Sequence, residues 1–244
     1  MRVTIKELGQ MKQRGEKIPM ITAYGYTSSK IVEDVGVPVV LVGDSLGQVV
    51  LGYSSTLPVT IDDMVHHLKA VVRGSRKPHV VGDMPFMSYQ SSEDDAIRNA
   101  GRLLKEGGAQ SVKVEGGYVL SQMIRRMVQS GIPVMGHIGF TPQSFNQMGG
   151  YKVQGKSEAA AKDLMKDALA LEKAGAYAVV LELVPDMLAK RITERLSIPT
   201  IGIGAGIHCD GQVLVTQDML GVLDKKVPKF VKRYATLFSD IQQK

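Results

Sequence analysis

Short apolar, β-branched runs, each stopping abruptly at a charged or polar residue, recur along this chain and leave it few ways to fold. Val37–Gly47, Val-Pro-Val-Val-Leu-Val-Gly-Asp-Ser-Leu-Gly, sets the pattern. A run without polar alternation suits a strand covered on both faces, as in parallel sheets, and its length and branching favour strand over buried helix. Asp44 and Ser45 then stand at the carboxyl end of that strand. Ligands bind at this end in both open α/β sheets and α/β barrels, because the loops there vary while the opposite end holds the fold together.

The runs alternate with helical patterns. An amphipathic segment, Lys6–Arg14, precedes the first apolar run, Ile18–Tyr24, and Thr27–Val35 follows with helical spacing before Gly36 closes it. Thr60 and Asp63 form a capping-box pattern at the start of a helix reaching about Arg73. His79–Phe86 reads as the third strand; Ser91–Asp95 opens a helix with acids in its first turn, and Gly107-Gly108 stops it. Ser111–Glu115, Pro133–Ile138, Ala178–Leu183, Thr200–Ile203 and Val213–Val215 complete eight strands. Helices are expected at Val119–Gln129, Ser157–Ala174, Asp186–Leu196 and Pro228–Ile241, with a polar, glycine-rich connection at Thr141–Lys156. Eight strands alternating with helices and no break in composition predict one (β/α)₈ barrel domain over residues 1–244, with a short N-terminal helix. A doubly wound open sheet is the structural alternative.

Composition removes several function classes. With 44% hydrophobic and 22% charged residues the chain is neither disordered nor membrane-like. Nowhere do 18 uncharged apolar residues run together, and Met1–Glu7 lacks the apolar core of a leader, so no membrane partner and a cytoplasmic location are expected. The net charge of +6 is dispersed through mixed segments such as Lys162–Lys173, and the densest basic stretches, Lys12–Lys17 and Lys225–Arg233, hold only Phe230 as an aromatic. That is too little for base stacking, so no nucleic-acid partner is expected. The single cysteine, Cys209, excludes an intramolecular disulfide and is read as structural.

In a parallel barrel the strand tips must face one cavity. Strands two to six end in or carry Asp44, Asp83, Glu115, His137 and Glu182. A lone acid after a strand can cap the next helix, but Thr60 and Ser91 or Ser92 already stand nearer to the helices that follow Asp44 and Asp83. Acids embedded in apolar runs are costly to ionise without a compensating cation. Asp44, Asp83 and Glu115 are hard oxygen donors, with no His-x-x-x-His spacing to suggest zinc, and point to Mg²⁺ or a similar ion. Lys113, two residues before Glu115, shares its face; it either pairs with the acids or awaits an anionic substrate, and the second is preferred because the ion would neutralise much of the acid charge. His137 is open between a core histidine bonded to backbone and a direct catalytic or binding role. Ile201-Gly-Ile-Gly-Ala-Gly206 is followed by Ile207 where a dinucleotide fingerprint wants Gly or Ala, which speaks for close backbone approach to some ligand and not for a dinucleotide.

Seven motifs, in order, carry a resemblance. Leu41-Val-Gly-Asp-Ser-Leu-Gly47, Ser55-Thr-Leu-Pro-Val-Thr60, Asp83-Met-Pro-Phe86, Val112-Lys-Val-Glu-Gly-Gly117, Gly136-His-Ile-Gly-Phe-Thr-Pro-Gln143, Gly149-Gly-Tyr-Lys-Val-Gln-Gly155 and Ile201–Gly206 closely resemble the ketopantoate hydroxymethyltransferase family, from about Ile18 to Phe230. The resemblance implies a (β/α)₈ TIM barrel of the phosphoenolpyruvate/pyruvate superfamily. It further implies transfer of a hydroxymethyl group from 5,10-methylenetetrahydrofolate to 3-methyl-2-oxobutanoate, giving 2-dehydropantoate through a Mg²⁺-stabilised enolate, in pantothenate and coenzyme A biosynthesis. Carried over, Asp44, Asp83 and Glu115 surround Mg²⁺; Ser45 and Lys113, with Asp44 and Asp83, hold the oxo acid; Glu182 is the proton acceptor, and His137 orders water or the product oxygen. The 141–156 connection is expected near the folate or over the substrate, and the chain is expected to form a homo-oligomer, a decamer of the pentamer-of-dimers type. Two departures stand out: Gly25 replaces the acid that relatives carry after Ala-Tyr, and the sequence stops at Lys244 without their extra C-terminal segment, which bears on assembly.

Two other functions compete. A Mg²⁺-dependent lyase or mutase of the same superfamily would share the metal acids but need a different nucleophile; that branch commonly offers a reactive cysteine in a mobile loop after the metal strands, whereas the one cysteine here, Cys209, lies far along the chain. A catalytically silent barrel would show gaps in the acid set.

Overall fold

The computed structural model describes residues 1–224 and 227–244, so Lys225 and Lys226, which open one of the basic stretches noted above, lie outside the described residues. Eight parallel strands close on themselves in sequence order: β1 (Ile18–Thr22), β2 (Val39–Val42), β3 (His79–Asp83), β4 (Ser111–Glu115), β5 (Val134–Gly139), β6 (Ala178–Glu182), β7 (Thr200–Ile203) and β8 (Gly211–Leu214). β8 pairs with β1, which excludes the open sheet.

β2 to β6 are buried on both faces, as their continuous apolar runs require, whereas β1 and β8 leave Pro19 and Gln212 exposed. Val39 and Leu41 of β2 point inward to a cluster with Ile18, Met20, Val81, Met135, Val180 and Val213, whereas Val40 and Val42 point outward into the larger core between barrel and helices. That outer layer consists of α2 (Tyr26–Asp34), α4 (Ile61–Gly74), α5 (Glu93–Lys105), α6 (Ser121–Gln129), α8 (Glu158–Ala174) and α9 (Asp186–Arg195), with single-turn helices α3 (Leu46–Val49) and α7 (Phe145–Met148) and the short α10 (Thr216–Leu220) in the connections. The N-terminal starts obey the expected caps. Thr60 accepts from Asp63 N–H at 3.1 Å while the Asp63 carboxylate accepts from Thr60 N–H at 2.9 Å, and Ser92 and Ser157 cap α5 and α8. Helix α1 (Ile5–Gln13) lends Leu8 and Met11 to the inner cluster and so closes the amino-terminal end of the barrel.

One region differs from the sequence expectation. Helix α11 covers only Leu237–Gln242, in place of a helix over Pro228–Ile241. Residues 227–236 run without helix because their apolar side chains find long-range partners: Val227, Phe230 and Val231 line the central cavity, and Phe230 packs onto Gly204. A helix turned only by local propensity is marginal, and tertiary burial overrides it. As the sequence pattern implies, β7 passes to β8 without a helix. Residues 204–210 are held instead by Asp210, whose carboxylate accepts from Thr200 N–H and from Lys12 Nζ, each at 2.8 Å. The glycines at 202–206 sit close to neighbouring protein: Gly202 packs on Cys209, Gly204 on Phe230 and Leu183, and Gly206 on the Asp186 side chain. Among the described residues no helix is long and apolar enough to cross a membrane.

Candidate active site

A cavity of about 920 Å³ opens at the carboxyl ends of the strands. Asp44, Ser45, Asp83, Lys113, Glu115, His137 and Glu182 all line it, so the structure brings together every side chain that the strand-tip argument selected. Strand register explains how. Asp83 of β3 lies opposite Lys113 of β4, and Glu115 of β4 opposite His137 of β5, so neighbouring strands present them side by side. Glu182 closes the arc at the end of β6, opposite Gly139. That approach needs a glycine: Gly139 has φ 94°, and a Cβ there would collide with the Glu182 carbonyl oxygen. Leu183, next to Glu182, is held at φ 49°, a conformation that costs a branched residue about 1 kcal/mol and recurs at functional sites.

The acids are buried and crowded. One oxygen each from Asp44, Asp83 and Glu115 can be chosen so that all lie within 4.8 Å of one another. Burial, then the charges of Asp83 and Glu115, pushes the Asp44 carboxyl well above the usual carboxylate range, and burial raises Asp83 as well, against the pull of Lys113. At Glu115 burial acts in the same direction, but Lys113 and His137 outweigh it and hold this carboxyl down at about 2. Such a cluster of hard oxygen donors, costly to charge without a cation, fits a Mg²⁺-type ion.

Lys113 is paired with the acids: its ammonium sits 2.6 Å from Asp83 Oδ1 and 3.4 Å from Glu115 Oε1. Burial would lower its pKa, but Asp83, Glu115 and Asp44 raise it above the ordinary lysine value. His137 is no backbone-bonded core histidine. Its Nδ1 is 3.4 Å from Glu115 Oε1 and its Nε2 3.2 Å from Glu182 Oε2, within ion-pair reach, although neither contact has the alignment of a hydrogen bond. Burial and Lys113 oppose its charge, yet the two glutamates raise it to about 9. Burial raises Glu182 above its ordinary value, with His137 opposing.

Several participants were not singled out from sequence. Tyr24 OH lies 2.8 Å from Ser45 Oγ, and Tyr151, stacked on Phe140 at 4.8 Å between ring centres, lines the cavity from the 141–156 connection together with Pro142 and Val153. Gln143 touches two of the three clustered acids. It stands in one of the quoted motifs, directly after the β5 run, but nothing in its spacing reveals an inward turn. Cys209 is buried, its thiol pushed up by burial, and it is not among the cavity-lining residues; the lyase or mutase reading therefore lacks its nucleophile. The acid set has no gap, which removes the ground for a silent barrel.

Fold and site together define a (β/α)₈-barrel enzyme that works at the carboxyl ends of its strands. Its fold is shared by phosphonopyruvate hydrolase, solved in complex with oxalate and Mg²⁺ (TM-score 0.66, 9% identity, covering 87% of this chain and 81% of that one), and by 2,3-dimethylmalate lyase, a PEP mutase/isocitrate lyase superfamily member (TM-score 0.64, 15% identity, 88% and 81%). The chain belongs to the ketopantoate hydroxymethyltransferase family, whose profile matches residues 2–244. Similar relatives are the 3-methyl-2-oxobutanoate hydroxymethyltransferases of Carboxydothermus hydrogenoformans, 61% identical over 99% of this chain and 88% of the relative, and of Syntrophus aciditrophicus, 58% identical over 99% and 89%.

Proposed function

We propose that this chain transfers a hydroxymethyl group from 5,10-methylenetetrahydrofolate to 3-methyl-2-oxobutanoate, giving 2-dehydropantoate, and that the whole chain serves as one catalytic domain. The observation that carries the reading is the arc of strand ends in which three clustered carboxylates face a fourth, Glu182, across one cavity. At about 920 Å³ that cavity is in the upper range of small-molecule sites and has room for a small oxo acid beside a larger donor.

Asp44, Asp83 and Glu115 would hold Mg²⁺, which when bound supplies a Lewis acid for the keto oxygen and so makes the neighbouring C–H more acidic. Ser45 and Lys113 hold the substrate carboxylate, Lys113 exchanging part of its pairing with Asp83 for that contact. Glu182, raised towards neutral pH by burial, accepts the proton from C3. The carbon nucleophile so formed attacks the methylene carbon of the folate as one of its C–N bonds opens; the oxygen of water then replaces the second C–N bond, and the proton held on Glu182 and one proton of that water go to the two folate nitrogens, so that tetrahydrofolate leaves. His137, between Glu115 and Glu182, orients Glu182 and orders the water or product oxygen. The 141–156 connection, which lines the cavity with Tyr151 and Val153, lies near the folate or over the substrate in this reading. The reading includes a cytoplasmic homo-oligomer of the decameric type.

The deciding experiment is proton NMR of 3-methyl-2-oxobutanoate in D₂O with the protein and Mg²⁺ but no folate. The C3–H signal should disappear as deuterium enters. A signal that persists at full intensity rejects the proposed chemistry.

A further inference from the structure

Gln143 has no place in the mechanism above, yet it is buried and every polar atom of its side chain is used. Its Nε2 donates to Asp44 Oδ2 at 3.0 Å and to the Met84 carbonyl at 2.9 Å, while its Oε1 accepts from Tyr89 OH at 2.8 Å and from Gln90 Nε2 at 3.1 Å. Its own backbone N–H donates to Glu115 Oε2 at 3.0 Å. One residue of the 141–156 connection therefore grips two of the three clustered acids, one just past β2 and one at the end of β4, and takes one oxygen of each. The amide cannot turn over, because the flip would set its oxygen against the Asp44 carboxylate and the Met84 carbonyl. Tyr89 braces the arrangement from behind: its hydroxyl also accepts from Glu115 N–H at 3.0 Å.

We infer that Gln143 is a positioning residue that couples divalent-ion binding to the order of the 141–156 connection. Hydrogen bonds to metal-ligating carboxylates fix their orientation and their remaining free oxygen, and the loss of such a bond typically lowers metal affinity about 10- to 100-fold. The same bonds anchor the start of a connection whose later residues, Pro142 apart, reach the cavity through Tyr151 and Val153. Because the coupling is thermodynamic it runs both ways: an ion that holds Asp44 and Glu115 in place steadies the connection, and an ordered connection tightens the ion.

This inference rests on the metal reading of the acids, and the test separates the two. Mg²⁺ binding to wild type, Gln143→Met and Tyr89→Phe is measured by calorimetry, and trypsin cleavage at the exposed Lys152 and Lys156 is followed with and without Mg²⁺. Methionine keeps the length of the side chain and removes both donors. The Mg²⁺ Kd should rise 10- to 100-fold in Gln143→Met, and the protection that Mg²⁺ confers on Lys152 and Lys156 in wild type should vanish. Tyr89→Phe should move both readouts in the same direction by a smaller factor, which keeps the test decisive if Gln143→Met does not fold. Wild-type affinity and protection in whichever variants fold overturn the inference and leave the metal reading standing. Absence of Mg²⁺ binding in wild type itself overturns both.

Discussion

Glu182 is the side chain on which the proposed chemistry turns, and its surroundings dictate how it should titrate. Burial raises it, so a larger share is protonated near neutrality than for a free glutamate, and only the ionised form can take the C3 proton. The rate of C3–H exchange should therefore climb with pH until Glu182 is fully ionised, with its midpoint above the ordinary value of 4.5. Glu182→Gln keeps the shape and removes the base: calorimetry should still register Mg²⁺ and the oxo acid, while exchange falls by about 10²- to 10⁴-fold. Exchange at the wild-type rate would assign the base to another group. The candidates themselves were legible because each acid interrupts an apolar run at a strand end. Lys113 was legible as a residue but not in its state, since its 2.6 Å contact joins β4 to β3 across 30 positions of sequence.

At the scale of elements, the strands and the capped helices follow from local pattern, whereas the N-terminal segment matters through what it touches. Val3 gives its carbonyl oxygen to His79 Nδ1 at 3.0 Å, and His79 Nε2 meets Ser111 Oγ at 2.9 Å, so the first residue of β3 is locked between the segment before α1 and the first residue of β4. Burial lowers His79 to about 4, against 6.5 for an unperturbed histidine. Below pH 6.5 the unfolded chain gains a proton that the folded chain refuses, so this group's contribution to stability is whole at neutral pH and is lost as pH falls from 6.5 to 4. The difference amounts to about 3 kcal/mol. Urea denaturation at pH 7 and pH 4.5 should show a smaller loss of stability on acidification for His79→Gln than for wild type; equal losses would place the acid sensitivity elsewhere. The C-terminal segment is the opposite case. Its helical pattern was a fair local reading, but burial of Phe230 beside Gly204 outweighed it.

For the whole molecule, closure is what makes a site out of separate strand ends, and closure depends on the seam between β8 and β1. Gly211 pairs with Ile18 there, and a Cβ at Gly211 would collide with the Ile18 carbonyl oxygen. Gly211→Ala should cost about 1–3 kcal/mol in urea-induced unfolding, the usual range for forced overpacking, and an unchanged midpoint would show that the seam gives way freely. The sequence alone determined the eight strands, the two-faced burial of β2 to β6 and the acids near the ends of four of them, because side-chain period and β-branching act over neighbouring residues. Only the tertiary structure decided that Lys113 pairs with Asp83, that Gln143 reaches Asp44 from 99 positions away, and that residues 227–231 line the cavity in place of a helix. Those outcomes depend on barrel register and on contacts between distant segments, and no local pattern encodes the distance between side chains that meet only after the sheet has closed.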